Sequence, residues 1–500
     1  MAIGLSRSGK PVSARAVLVT VVTAVFVSYL DLFVVNVALP DIGRDFHGAP
    51  LTSLSWVLNG YAIVFAALLV VAGRMADRNG HRSGFLIGVG VFTAGSASCA
   101  ASTSTAWLVG SRVVQAAGAA IMIPTSLALL LTTTPAQHRS RAVAIWGAVG
   151  GVAAALGPVL GGLLVQVSWR WVFLINVPIG IAAIVTGWRV LPEVRHGEGG
   201  PWPDFLGAVL LTFSIAALTL GLVKGNDWGW SAPRTIGGFI TAFVLLLGFL
   251  FQSVRHPAPV VELPLLRVRA FSVATVAATL FTVAFAAMLL SMVLWCQDVW
   301  GYSALKTGLA LAPGPLAVPL VAVASGPLAR RIGNGPVAAF GNLLFGCGAL
   351  WWVFLVGTIS HYATEILPGL LIGGVGVGLT LPTLIAASAS ALPAQRFATG
   401  SGILNMARQV GSVLGVAVLV SILGTPHSPS SALGTFRHAW NAVVVVSVLA
   451  VLVSLFVRRP IMPATPPPLD CPSVGAERPD VGADVTGSTR SPRHAEGGPG

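Results

Sequence analysis

Fourteen long stretches of apolar residues, each closed by a short polar loop, run along this chain of 500 residues. They lie at about 16–39, 54–75, 84–101, 106–131, 142–167, 171–191, 205–224, 234–253, 270–296, 305–329, 336–356, 361–386, 398–424 and 438–457. The first covers about 24 residues, or ~36 Å of helix at ~1.5 Å per residue, against a bilayer core of ~30 Å. Runs this long with so few charges predict membrane-crossing helices. The expected fold class is therefore all-α, a polytopic membrane protein with fourteen spans.

One polar residue breaks the first run. Asp31 lies in LDLFVVNVALP, Leu30 to Pro40, near the far end of the span. Placing an acid there costs at least ~2.5 kcal/mol on insertion scales, so intramembrane acids face a cavity or a partner. Two roles stay open, ion or substrate movement and a structural ion pair. Arg112, in the fourth run, is the candidate partner, because both residues fall roughly 9 to 12 Å below the outer surface when the helix ends are placed at Leu39 and Ala106. A movement that changes their separation changes the proton affinity of Asp31. Asp31 is the only acid deep in any run, so one carboxylate has to serve both the proton and any cationic substrate. Neutral or monocationic lipophilic substrates are expected in preference to dications.

Composition agrees with a membrane protein: 55% of residues are hydrophobic and 9% charged. The net charge of +13 does not point to nucleic acid, because the basic residues stand singly between apolar runs and form no basic face. They follow loop parity instead. With the N-terminus inside, eighteen of the 29 Lys and Arg fall in inside segments and six in outside loops, which places both termini in the cytoplasm. Cys99, Cys296, Cys347 and Cys471 show no metal spacing and imply no disulfide framework. No cleavable signal is expected, since the first run is too long for one. The preference for arginine over lysine fits a GC-rich bacterial genome. Residues 1–15 are expected as a cytoplasmic N-terminus and 458–500, rich in Pro, Gly and Ser, as a disordered cytoplasmic tail. Trp56, Trp107, Trp169, Trp171, Trp188, Trp295, Trp300 and Trp440 lie near predicted helix ends, where interfacial anchoring is the ordinary role.

Between the second and third runs stands GRMADRNGHR, Gly73 to Arg82. It resembles the G-x-L-A-D-R-x-G-R-R/K loop of the major facilitator superfamily, with Met75 and His81 as departures. The resemblance implies a conformational latch of Gly73, Asp77, Arg78, Gly80 and Arg82, in which Asp77 caps a neighbouring helix and pairs with basic residues. A simple topology-setting basic turn is the alternative. Gly326 to Gly333 is similar to it in a second copy, as expected of repeated halves, with Arg330 where Asp77 would be. LVGSRVVQAAGAA, Leu108 to Ala120, resembles the family's embedded-arginine motif. AALGPVLGG, Ala154 to Gly162, resembles its antiporter signature through Gly157, Pro158, Gly161 and Gly162. With SWRWVFLINVPIG (Ser168 to Gly180), LDLFVVNVALP and RQVGSVLG (Arg408 to Gly415), the match is to the fourteen-helix drug:proton antiporter branch.

That resemblance implies two six-helix bundles, 16–191 and 270–457, with an inserted helix pair at 205–253 between cytoplasmic links 192–204 and 254–269. It implies proton-coupling and substrate residues Asp31, Arg112, Asn36 and Gln115, with Asn405, Arg408 and Gln409 in the C-terminal half. No metal and no cofactor beyond the proton gradient is expected. The leading function is proton-driven efflux of lipophilic drugs or antibiotics across a bacterial cell membrane, by a monomer. Dedicated export of one metabolite or self-made antibiotic is the alternative. A polytopic membrane transferase is more distant, since the acids are dispersed and His361, His427 and His438 form no ligand spacing. A non-transporting sensor is disfavoured by Asp31 and the loop at Gly73.

Overall fold

Fourteen helices long and apolar enough to cross a membrane are found among the described residues of this computed structural model, which are 14–135, 138–193, 201–392, 396–424 and 429–457. All fourteen lie in one compact unit. The expected tail and nearly all of the expected N-terminal segment lie outside the described residues. The helices are α1 (Arg15–Asp45), α2 (Leu51–Asn79), α3 (His81–Ala100), α4 (Thr105–Thr133), α5 (Ile145–Val165), α6 (Trp171–Val190) and α7 (Phe205–Trp228). They continue with α8 (Pro233–Arg255), α9 (Arg269–Val299), α10 (Ala304–Ile332), α11 (Asn334–Leu355), α12 (Tyr362–Ser390), α13 (Thr399–Leu423) and α14 (Ala432–Leu455).

Local chemistry sets several of these boundaries. Ser104, Asp204 and Ser303 each accept a backbone N–H at the start of α4, α7 and α10, satisfying donors that a helix leaves free. Gly80 and Gly333 carry the tight links α2–α3 and α10–α11 with φ of 105° and 98°, a region that favours glycine. Those matching links are the two loops read as copies of one motif. The first helix departs from expectation: α1 continues through Pro40 to Asp45. Pro40 gives up only one backbone bond, and Arg44 pairs with Asp41 at 3.0 Å in the added turn. Asp31 thus lies fourteen residues before the helix end and not eight.

Helices α1–α6 form one bundle and α9–α14 the other. Small residues bring α3 onto α4: a Cβ on Gly95 would stand 2.7 Å from Gln115, and one on Gly88 would stand 2.8 Å from the Met122 nitrogen. The second bundle has an aromatic centre, with Trp295 edge-on to Trp440 at 5.4 Å and to Phe436 at 5.1 Å. Trp295, Trp440 and Trp169 are therefore core residues and not interfacial anchors. Trp107, Trp171 and Trp188 are about half exposed, as anchors should be. Nearness to a helix end does not say which face a side chain takes.

Three seams join the bundles. Gln297, in the π turn that closes α9, donates to the Val37 carbonyl of α1 at 2.9 Å. Helix α5 meets α10, and α2 meets α13 through Ile63, Val70, Ile403 and Met406. The inserted pair α7–α8 lies on the last seam, with α7 touching both α2 and α13. Helix α8 leaves Phe243, Val244 and Phe251 largely exposed, the surface a bilayer would cover.

Candidate functional site

Asp31 sits at the centre of a sealed polar cluster inside the first bundle. Its Oδ2 accepts a hydrogen bond from Arg112 Nη1, and the two form an ion pair. Its Oδ1 accepts from Gln115 Nε2 at 3.0 Å and from Asn176 Nδ2 at 3.1 Å. Ser96 Oγ accepts from the same two amides at 2.6 and 3.1 Å. Arg112 also donates to Gln115 Oε1 at 2.7 Å and, through Nε, to the Val57 carbonyl at 3.1 Å. Its guanidinium lies 4.2 Å from the centroid of the Tyr61 ring, a cation–π contact that strengthens when dry. Asp31, Arg112, Gln115, Ser96, Asn176 and Tyr61 are each at most 1% exposed.

Five helices build this arrangement, with α1 carrying Asp31 and α2 the Val57 carbonyl and Tyr61. The glycine contact of α3 on α4 brings Ser96 to Gln115, one helical turn from Arg112, and α6 delivers Asn176. Asp31, Arg112 and Gln115 come together as the sequence suggested. Asn36 does not join them, because its amide returns to the Leu32 carbonyl of its own helix at 2.8 Å. Ser96, Asn176 and Tyr61 were missed, although Asn176 lies within the quoted SWRWVFLINVPIG. The expectation of cationic cargo at Asp31 needs an accessible carboxylate, and here Arg112 and three amide and hydroxyl groups enclose it.

The four residues expected to form an antiporter motif lie on α5 between α1 and α10. Gly157 abuts Phe33 and Gly161 abuts Val34, both on α1. Gly162 is so close to α10 that a Cβ would stand 2.6 Å from the Ala304 oxygen, and Gly308 of α10 packs reciprocally on Pro158. The loop residues are less concentrated. Asp77 is 62% exposed and pairs with His81 Nε2 at 3.4 Å. The Asp77–His81 pair joins the end of α2 to the first turn of α3. Gly73 packs on Pro124, Arg82 donates to the Trp188 carbonyl at 2.6 Å, and Arg78 lies 4.2 Å over the Trp202 ring. The acid that joins the halves is Glu262, whose carboxylate takes Arg74 of α2 at 3.2 Å and Arg396, just before α13, at 2.6 Å. In the second bundle, Arg408 Nη1 donates to Asn405 Oδ1 at 3.3 Å, with Gln409 adjacent.

No group of three or more His, Cys, Asp or Glu among the described residues could hold a metal ion. Sequence comparison agrees with the architecture: a family model described as Major Facilitator Superfamily matches residues 21–416. The chain belongs to the major facilitator superfamily. It is 36% identical over 407 residues to the tetracenomycin C resistance and export protein of Streptomyces glaucescens, covering 80% of this chain and 74% of that one. It is 34% identical over 479 residues to the cephamycin export protein of Amycolatopsis lactamdurans, covering 92% and 96%. Proteins named for multidrug resistance match as well. Among solved structures, a peptide-transporter-family protein in complex with 5-aminolevulinic acid superimposes with a TM-score of 0.66 at 15% identity, over 89% of this chain and 96% of that one. This facilitator is a multi-pass membrane transporter of the antibiotic and drug exporter group, and not an enzyme.

Proposed function

We propose that this facilitator is a dedicated exporter of one antibiotic-class metabolite, driven by protons, with both termini in the cytoplasm. What carries the cargo assignment is that two relatives matched at 34% and 36% identity, one of them nearly end to end, are named for export of a single antibiotic. The sealed pair of Asp31 and Arg112 supports proton coupling, because it places a titratable carboxylate in mid-span within a set of donors that a helix movement would disturb. In this reading Gln115 and Asn176 hold the carboxylate, and Gly157, Pro158, Gly161 and Gly162 let α5 close against α1 and α10. Gly73, Asp77, Arg78, Gly80 and Arg82 form the cytoplasmic turn. The working domains are a bundle at 16–191, the inserted pair at 205–253 and a bundle at 270–457, with links at 192–204 and 254–269.

The test is resistance in an efflux-deficient bacterial host against a panel of antibiotic scaffolds, followed by uptake into inside-out vesicles with and without a proton gradient. Resistance confined to one scaffold, and uptake that collapses with the gradient, are expected. Resistance across unrelated scaffolds would establish the multidrug reading instead, and gradient-independent uptake would remove the proton.

A further inference from the structure

One mid-span ion plays no part in the cluster around Asp31. Ser401, Asn405, Arg408 and Ser412 follow at spacings of four, three and four along α13, so they share one stripe. All four are partly accessible. On one flank Gly411 and Gly415 pack against Thr279 and Val283 of α9, and on the other Ile403, Met406 and Val413 join a buried apolar cluster with α2. Gly402, next to Ser401, stands against Val70 of α2, with a Cβ there 3.4 Å from the Val70 side chain. The stripe therefore looks across at the first bundle and not at lipid.

Arg408 has no carboxylate within ion-pair distance among the described residues, whereas Arg112 has Asp31. Its one hydrogen bond is to Asn405 Oδ1 at 3.3 Å. Its Nε and the neighbouring Gln409 Nε2 are buried with no partner. Asp31 and Arg112 cancel each other within the first bundle, and Arg408 is left as a positive charge on the accessible stripe. An unpaired guanidinium away from bulk water is costly, and its planar fork fits a carboxylate in two parallel bonds.

We propose that Arg408 and Gln409 receive an acidic group of the cargo, a carboxylate or comparably acidic enol or phenol on a lipophilic small molecule. Asn405 orients the guanidinium. This assignment rests on the export reading above and departs from the expectation of a neutral or monocationic cargo.

The experiment uses the full-length protein in vesicles and three pyrene probes that differ only in head group: a butyrate, its primary amide and a butyl-trimethylammonium. Binding is read by energy transfer from tryptophan and transport by probe movement. The butyrate should bind most tightly. Arg408→Gln should lower butyrate affinity roughly tenfold to a hundredfold, as expected for loss of a charged hydrogen bond, with a much smaller loss for the amide and a gain for the cation. Arg408→Lys, which keeps the charge, should retain the butyrate preference at reduced affinity and serves if the glutamine variant does not fold. A wild-type preference for the amide or the cation would overturn the assignment, as would a butyrate preference that survives Arg408→Gln. Vesicles of phosphatidylcholine alone are compared with vesicles containing phosphatidylglycerol. A butyrate preference lost only in the second set would identify a lipid headgroup as the occupant and overturn the cargo assignment. The export reading stands or falls by the resistance and vesicle assays above; if those hold and the butyrate is not favoured over the amide, only the role of Arg408 fails.

Discussion

Neutralising Asp31 alone would leave Arg112 of α4 buried against α1 and α2 with no carboxylate, and breaking a buried pair from one side costs roughly 3–5 kcal/mol. A bare loss of export in Asp31→Asn would therefore mix two effects, failed coupling and failed folding. The double variant Asp31→Asn with Arg112→Gln separates them, because it removes both charges and leaves amides able to hydrogen-bond to Gln115, Asn176 and Ser96. We expect the double variant to recover most of the lost thermal stability but none of the proton-coupled export, with Asp31→Glu retaining part of the export. Full coupled export by Asp31→Asn, measured in vesicles, would show that the proton travels elsewhere. The pair itself was legible in the sequence because two opposite charges in apolar runs have few alternatives, although the matching depth assigned to them rested on a helix end at Leu39 that lies instead at Asp45. Ser96 and Asn176 were not legible, since small neutral polar residues on other helices break no hydrophobic pattern. Asn36 misled for the converse reason: its position in a motif did not reveal that its amide turns back to Leu32.

At the level of helices and links, the loop from Gly73 to Arg82 could be read from its ordered Gly, Asp and Gly. The residue that closes the basic end could not. Glu262 sits in the link before α9, outside every apolar run, and finds Arg74 188 positions earlier in the chain and Arg396 134 positions later. Such a contact has no local signature. Its three side chains are each about a fifth to a half exposed, so each bridge contributes about 1 kcal/mol or less. That is weak enough to open and close during turnover, as a device that biases one conformation should. Glu262→Gln is therefore expected to slow export while leaving substrate affinity nearly intact. Asp77→Asn should act in the same direction but less, because its pair with His81 lies within the first bundle. Turnover and equilibrium binding measured on both variants check this. Equal losses of binding and turnover would mean that neither residue works through conformation, and a larger turnover defect in Asp77→Asn would return the latch to the loop.

For the whole molecule, the parity of basic residues makes the most direct prediction: reporter fusions at residues 140, 230 and 500 should read inside, outside and inside. A twelve-span result would remove α7 and α8 from the membrane. Their existence was legible from length and apolarity, but their purpose was not, because a helix that is apolar on all faces says nothing about its neighbours. The structure places α7 along the seam of α2 and α13, where Lys224 Nζ donates to Thr52 Oγ1 of α2 at 3.2 Å and Asn226 donates to the Ser421 carbonyl of α13. At the basic end, the link that follows α8 supplies Glu262 to the same two elements. The inserted pair and its link thus hold α2 and α13 together at both ends, and these helices come from opposite bundles. Deleting 205–253 removes an even number of spans, so the fusion at 500 should still read inside. The outer brace and the cover over the seam would be gone, while Glu262 would remain on a shortened tether. We expect such a variant to insert correctly, melt at a lower temperature than the full chain and export more slowly. Unchanged melting and turnover would show that α2 and α13 need no brace and that the inserted pair serves some purpose other than holding the seam.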